Sequence, residues 1–248
     1  MCVITSASSR KDGITFYSKH YKLEMNEKSD GSIEYTSKKL SNISTQSAKC
    51  NLFLIRGFIT FFSSEYLALI WILQTIIELF NIITAKVASA VTILASISFP
   101  ILTIIIVILS IAVLKVWGNP RKTSMYHGAE HKVINALQNG NELTLFNVQN
   151  EPRYNAECGS IFVVFCLLII MLFVIFVPHW IFFIPLCYAI AYEMFIVKDG
   201  EHKPILKYAY SIGKFCQEKI VTKEPDDEMI SNAIIAVNKL IELENSAK

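Results

Sequence analysis

Between Ile161 and Val197 the chain carries no Lys, Arg or Asp and a single acid, Glu193; between Phe58 and Leu114 the only charges are Glu65, Glu78 and Lys86. Apolar runs this long constrain the fold more than any motif does. A helix that crosses a bilayer needs about 20 apolar residues, and it satisfies its own backbone polar groups where lipid cannot. The runs therefore predict two transmembrane hairpins, 58–116 and 161–197. The first holds two spans between about Tyr66 and Val116, hinged near Thr84-Ala85-Lys86 and kinked at Pro100. The second turns around Pro178-His179-Trp180, with about 17 residues on each side, at the short end of the spanning range.

Charge then orients the hairpins. Nine Lys/Arg precede Phe58, five lie from Lys115 to Arg153, and eight follow Val197, with Lys86 the one exception. Positive charge collects on the cytoplasmic side, so both termini and the central loop are expected there. The lipid bilayer is the expected partner. No extended basic stripe with interleaved aromatics is present, which argues against nucleic acid. The six cysteines form no Cys-x-x-Cys pair, consistent with a reducing compartment. The first residues lack an apolar core segment, so no cleavable signal peptide is expected.

The polar segments carry local signals. In segment 1–57, Asp30-Gly31 between Tyr- and Ile-containing runs reads as a hairpin turn; a disordered tail is the alternative. In segment 117–160, Trp117-Gly118-Asn119-Pro120 ends a span, Ser124 is a possible helix cap, and Gly140 a helix stop. In segment 198–248, Ile230, Ile234, Val237 and Ile241 line one helical face, behind Pro225 and three acids suited to a helix start. The expected fold class is a mainly α membrane protein. It has about four transmembrane helices in two hairpins, a small N-terminal β or irregular cytoplasmic segment, a short cytoplasmic helix in the central loop, and an amphipathic C-terminal helix.

That short helix carries Met125-Tyr126-His127-Gly128-Ala129-Glu130-His131-Lys132. Residues four apart share a helix face, so His127 and His131 can offer two imidazoles to one metal ion. With Glu130 they spell His-x-x-Glu-His, the inverted form of a zinc-peptidase motif. Zinc would take both rings, and Glu130 would be the general base toward an activated water. The blander reading is a polar helix whose histidines bond carbonyls or lipid phosphates. A third ligand is required. Cys158, beside Gly159 at the start of the third span, offers a thiolate suited to zinc. Glu193 offers the one carboxylate of the last apolar run, where an unpartnered acid is costly; a pair with Lys198 is the alternative. Glu78, on one face with Gln74 and Asn81, reads as polar glue between helices. His179 and His202 read as interfacial or solvated.

The stretch Tyr126–Lys132, with Glu142-Leu143-Thr144, Asn147-Val148, Cys158-Gly159, Tyr192-Glu193, the run Thr222–Asp227 and an upstream Arg56-Gly57, resembles the YqhQ-like family. These are bacterial inner-membrane proteins of unassigned function, regarded as metal-dependent enzymes. The resemblance covers Lys115 to the C-terminus well and the N-terminal third weakly. It implies a multi-pass protein of the bacterial inner membrane. Asn155 stands where the family usually has His, and Ala156-Glu157 where it has Pro-Arg. The family's Gly-Gly-Gln-Ala-rich opening is missing or replaced. The expected function is a divalent-metal site, most suited to zinc, on His127 and His131 with Cys158 or Glu193, serving a hydrolase that acts on a membrane-associated substrate. The rival is a non-enzymatic scaffold or assembly factor with a structural His/Cys cluster, its polar ends docking other membrane proteins.

Overall fold

The structure, a computed structural model, describes residues 4–40, 54–85 and 120–246. The chain divides into two compact units. The first is built from Met1–Ser44, Lys115–Ala156 and Lys214–Lys248, the second from Thr45–Leu114 and Glu157–Gly213.

The first unit rests on a four-stranded antiparallel meander: β1 (Ile4–Arg10), β2 (Gly13–Ser18), β3 (Tyr21–Glu27) and β4 (Ile33–Lys39), adjacent in that order. Alternation along the strands sends Ile14 and Phe16 of β2 opposite Met25 and Leu23 of β3, and all four are buried. The Asp30-Gly31 turn forms as expected. Gly31 takes φ +82°, and the Asp30 carboxylate accepts from the Ser32 backbone N–H at 2.9 Å. Gly13 has a harder requirement: a Cβ there would lie 1.8 Å from the Met25 carbonyl oxygen.

Two helices cover this sheet. With the elements of the second unit included, the described residues hold eight α-helices: α1 (Ile55–Ser63), α2 (Glu65–Ala85), α3 (Pro120–Gln138), α4 (Leu145–Asn150), α5 (Gly159–Phe176), α6 (Ile184–Phe195), α7 (Leu206–Cys216) and α8 (Asp227–Ser246). In α8 the expected face is buried: Ile230, Ile234 and Val237 join Ala233, Ala236 and Leu240 in the core. The cap is Asp226, whose carboxylate accepts from the Met229 N–H at 2.8 Å, a good placement at the positive end of the helix. The amphipathic tail is thus a core element. From α3, Tyr126, Ala129, Val133 and Ala136 enter the same core.

The second unit holds α1, α2, α5 and α6. Gly57 of α1 lets the backbone of α6 approach: a Cβ at Gly57 would sit 2.6 Å from Ala189 Cα. Trp71 donates its indole N–H to the Ile181 carbonyl at 3.0 Å. Glu78, expected as polar glue, meets His179 at 2.8 Å.

The four-span fold class is overturned. The molecule is mixed, with a sheet at its N-terminal end. Among the described residues one helix, α5, is long and apolar enough to cross a bilayer, with 18 residues and a mean hydropathy of 3.1. α1 and α2 pass that test only as a pair bent by 90°. The partner of α5 in the expected second hairpin is short, the apolar helical stretch after the turn running only from Trp180 to Phe195. His179 takes φ +53°, a single 3-10 turn follows at Trp180–Phe183, and Pro185 opens the twelve-residue α6. At 1.5 Å per residue α6 covers roughly 18 Å, far short of a hydrocarbon core of about 30 Å. The expected span beyond Lys86, with Pro100 and the Trp117-Gly118-Asn119 stop, lies outside the described residues, as do residues 41–53.

Candidate metal centre

α3 starts at Pro120, whose missing N–H costs nothing at a helix start. That is four residues earlier than the expected Ser124 cap. Gly140, at φ +71°, ends it: the Gly140 N–H reaches the Leu137 carbonyl and the Asn141 N–H the Ala136 carbonyl. Such a left-handed closure favours glycine. With the Ala129–Val133 stripe packed inward, His127 and His131 share a neighbouring face.

Their rings lie 4.4 Å apart between centroids, and one ligand nitrogen of each lies within 4.8 Å of the other. His131 is buried and His127 half-buried. His131 Nδ1 sits 2.5 Å from the Arg153 carbonyl oxygen. A carbonyl only accepts, so Nδ1 carries the proton and Nε2 the lone pair. Nε2 is buried and has no hydrogen-bond partner. Desolvation also lowers the pKa of His131, favouring the neutral ring. A neutral imidazole whose other nitrogen is anchored on a carbonyl is the form that ligates metals.

Glu130 is buried too. One carboxylate oxygen, Oε2, lacks a partner, while the group bonds Ser9 of β1. Burial pushes its pKa up to about 7. Around the helix Glu130 is displaced by roughly 60° from His127 and roughly 100° from His131, toward the sheet.

Cys158 and Glu193 belong to the second unit. Cys158 sits at the N-cap of α5, and its sulfur accepts from Ser160 Oγ at 3.3 Å. Glu193 is buried in α6, and its Oε1 accepts from the Leu54 backbone N–H at 3.1 Å. Among its partners, then, is the start of α1.

Several residues to which the sequence reading gave no structural role hold the site together. Lys132 is buried and donates to the Gln149 and Glu151 carbonyls at 2.7 and 2.9 Å, and it pairs with Glu224 at 2.9 Å. Asn135 donates to the Pro152 and Tyr154 carbonyls, each at 2.8 Å. Asn155 Nδ2 donates to Asn135 Oδ1 at 2.9 Å, and its backbone is clamped by Gln217. The position usually held by His is thus used here as an amide clamp on the loop that presents the Arg153 carbonyl. Thr144 caps α4 by accepting from the Asn147 N–H, and Val148 is core.

Gly128 explains another part of the motif. A Cβ there would lie 2.2 Å from the Lys223 carbonyl oxygen, and the Lys223 N–H donates to the Ser124 carbonyl at 2.9 Å. The run Thr222–Asp227 lies directly on α3 at this glycine. Gly128→Ala should therefore destabilise the protein, although alanine gains about 1 kcal/mol of helix propensity. A fall in melting temperature checks this; a rise would mean the segment shifts freely.

Within the first unit, the stretches Tyr126–Lys132 and Thr222–Asp227 are therefore neighbours in space. A family described as "Protein of unknown function (DUF1385)" matches residues 27–243. The chain belongs to this YqhQ-like family. It is similar to "Uncharacterized protein YqhQ" of Bacillus subtilis (strain 168), with 27% identity over 255 residues, covering 98% of this chain and 75% of that protein. No solved structure matches. The family match includes α3, α4 and the loop carrying Arg153, which set the geometry around His131.

Proposed function

We propose that the protein is a membrane-attached, zinc-dependent hydrolase whose metal is held by His127 and His131. The observation that carries this reading is the buried, unpartnered Nε2 of His131, with Nδ1 fixed on the Arg153 carbonyl. The sequence offers Cys158 or Glu193 as the third ligand. Two imidazoles and a thiolate suit zinc over the hard cations. When bound, zinc supplies a Lewis acid at neutral pH. Glu130 then accepts a proton at Oε2, a role suited to a carboxylate with its pKa near 7. α5 supports attachment to a bilayer, since only 11% of it is buried, and it exposes Leu167, Met171, Leu172, Ile175 and Phe176. We place the protein in the bacterial inner membrane with both termini in the cytoplasm, acting on a membrane-associated substrate.

A second reading has its own observation. The contact of Glu130 with Ser9 fits a structural zinc in a scaffold or assembly factor. Glu130→Gln separates the two. As a hydrolase, the variant keeps stoichiometric zinc and loses activity on the order of 100-fold or more. Unchanged function with zinc retained would select the scaffold. Absence of zinc from the purified full chain would end both.

Glu130→Gln also has a signature in stability. The folded pKa, about 7, exceeds the ordinary 4.5. The stability that Glu130 contributes is therefore present below pH 4.5 and is lost as pH rises through 7. In the metal-free protein the variant should gain on the wild type across that window, by up to about 3 kcal/mol at pH 8. Melting curves at pH 5 and 8 measure the difference. Glu24, Glu27 and Asp30, whose pKa values are lowered by hydrogen bonds, act below that window.

A further inference from the structure

The first unit also contains a cavity of about 330 Å³, whose lining includes Arg121, Arg153, Lys219 and Lys223, with the acids Glu218 and Glu224. Four cations face two carboxylates. Glu224 is already compensated, at 2.9 Å from Lys132 Nζ and 3.0 Å from Arg153 Nε. Among the described residues, Arg121, Lys219 and Lys223 have no carboxylate within ion-pair distance. Arg153 is held in place, its Nη1 donating to the Thr222 carbonyl at 3.1 Å. Fixed cations lining a concavity raise the local concentration of anions, and a positioned guanidinium matches the oxygens of a phosphate.

The excess of two positive charges suits a phosphate monoester, which carries about −1.5 to −2 at pH 7; a lone carboxylate would leave charge unmatched. The cavity is also tied to the metal centre. Arg153 lines its wall, and the carbonyl of the same residue accepts from His131 Nδ1. Met125, two residues before His127, lines it as well.

We infer that this cavity binds the phosphate of a phosphate monoester, carried on a lipid headgroup or on a free molecule, and that this is the substrate class of the proposed hydrolase. The substrate role rests on that hydrolase reading; the binding itself stands on the cavity. The test titrates inorganic phosphate into the full-length protein in detergent, by calorimetry and thermal shift. Arg121→Gln/Lys223→Gln should weaken phosphate roughly tenfold or more, and Lys11→Gln/Lys28→Gln, which removes two charges on the β-hairpin turns, should not. Both pairs are exposed, so folding is little affected. Glycerol 3-phosphate and short-chain phosphatidic acid then compete against phosphate. Tighter competition by the lipid assigns the headgroup, and equal competition assigns a free ester; either supports the site. No phosphate binding by the wild type, or equal losses in the two double variants, overturns it. His127→Ala keeps the two readings apart, because the Arg153 carbonyl is held by His131. That variant should retain phosphate affinity while zinc is lost, so a protein that binds zinc but not phosphate sinks only this inference.

Discussion

His131→Ala is expected to lower zinc affinity on the order of 100-fold or more, measured by chelator competition on the full chain. The ring does two jobs: Nδ1 holds the Arg153 carbonyl at 2.5 Å, and Nε2 presents a lone pair in a buried setting. Alanine removes both. His127→Ala should also release zinc but disturb the fold less, because His127 is only half-buried. His131→Gln serves as a control for folding, since an amide N–H could still donate to Arg153. If the alanine variants bind zinc as tightly as the wild type, the histidine pair is not the metal centre and the zinc reading is lost.

The largest effect on stability is expected at Lys132. Its ammonium sits between the Gln149 and Glu151 carbonyls and pairs with Glu224. One side chain therefore joins α3, the loop after α4 and the run Thr222–Asp227. Lys132→Met keeps the stem but leaves two carbonyls without their donor, at a cost of about 2–4 kcal/mol. Most of that cost lies with the carbonyls, because Glu224 is 63% exposed and an exposed ion pair contributes little. The melting temperature should fall on the order of 4–12 °C. Glu224→Gln should cost far less, under about 1 kcal/mol. Equal losses in the two variants would assign the stability to the ion pair instead.

The histidine spacing, the hairpin at Asp30-Gly31, the Gly140 stop and the inward face of α8 were legible in the sequence. Each follows from periodicity or from a residue whose backbone preference is local. The role of Arg153 was not legible, because it acts on His131 through its backbone carbonyl, a group every residue carries. Asn155 looked like the loss of a family histidine. Its clamp on Asn135 and Gln217 became visible only once three distant stretches met. Glu130 read as a base beside the histidines, and the fold turns it toward Ser9.

The count of membrane spans failed for a related reason. Composition reports whether a segment tolerates lipid, not whether its helix continues. After the expected turn at His179 the helical stretch Trp180–Phe195 is short and opens as a 3-10 turn, and α1 bends sharply from α2. The sequence by itself determined the family and the helix face that carries both histidines, because these depend on residues close along the chain. The tertiary structure alone decided which histidine nitrogen is left without a partner, and that the N-terminal strands and C-terminal helix form the core beneath α3. Those outcomes depend on burial and on hydrogen bonds between residues far apart in sequence.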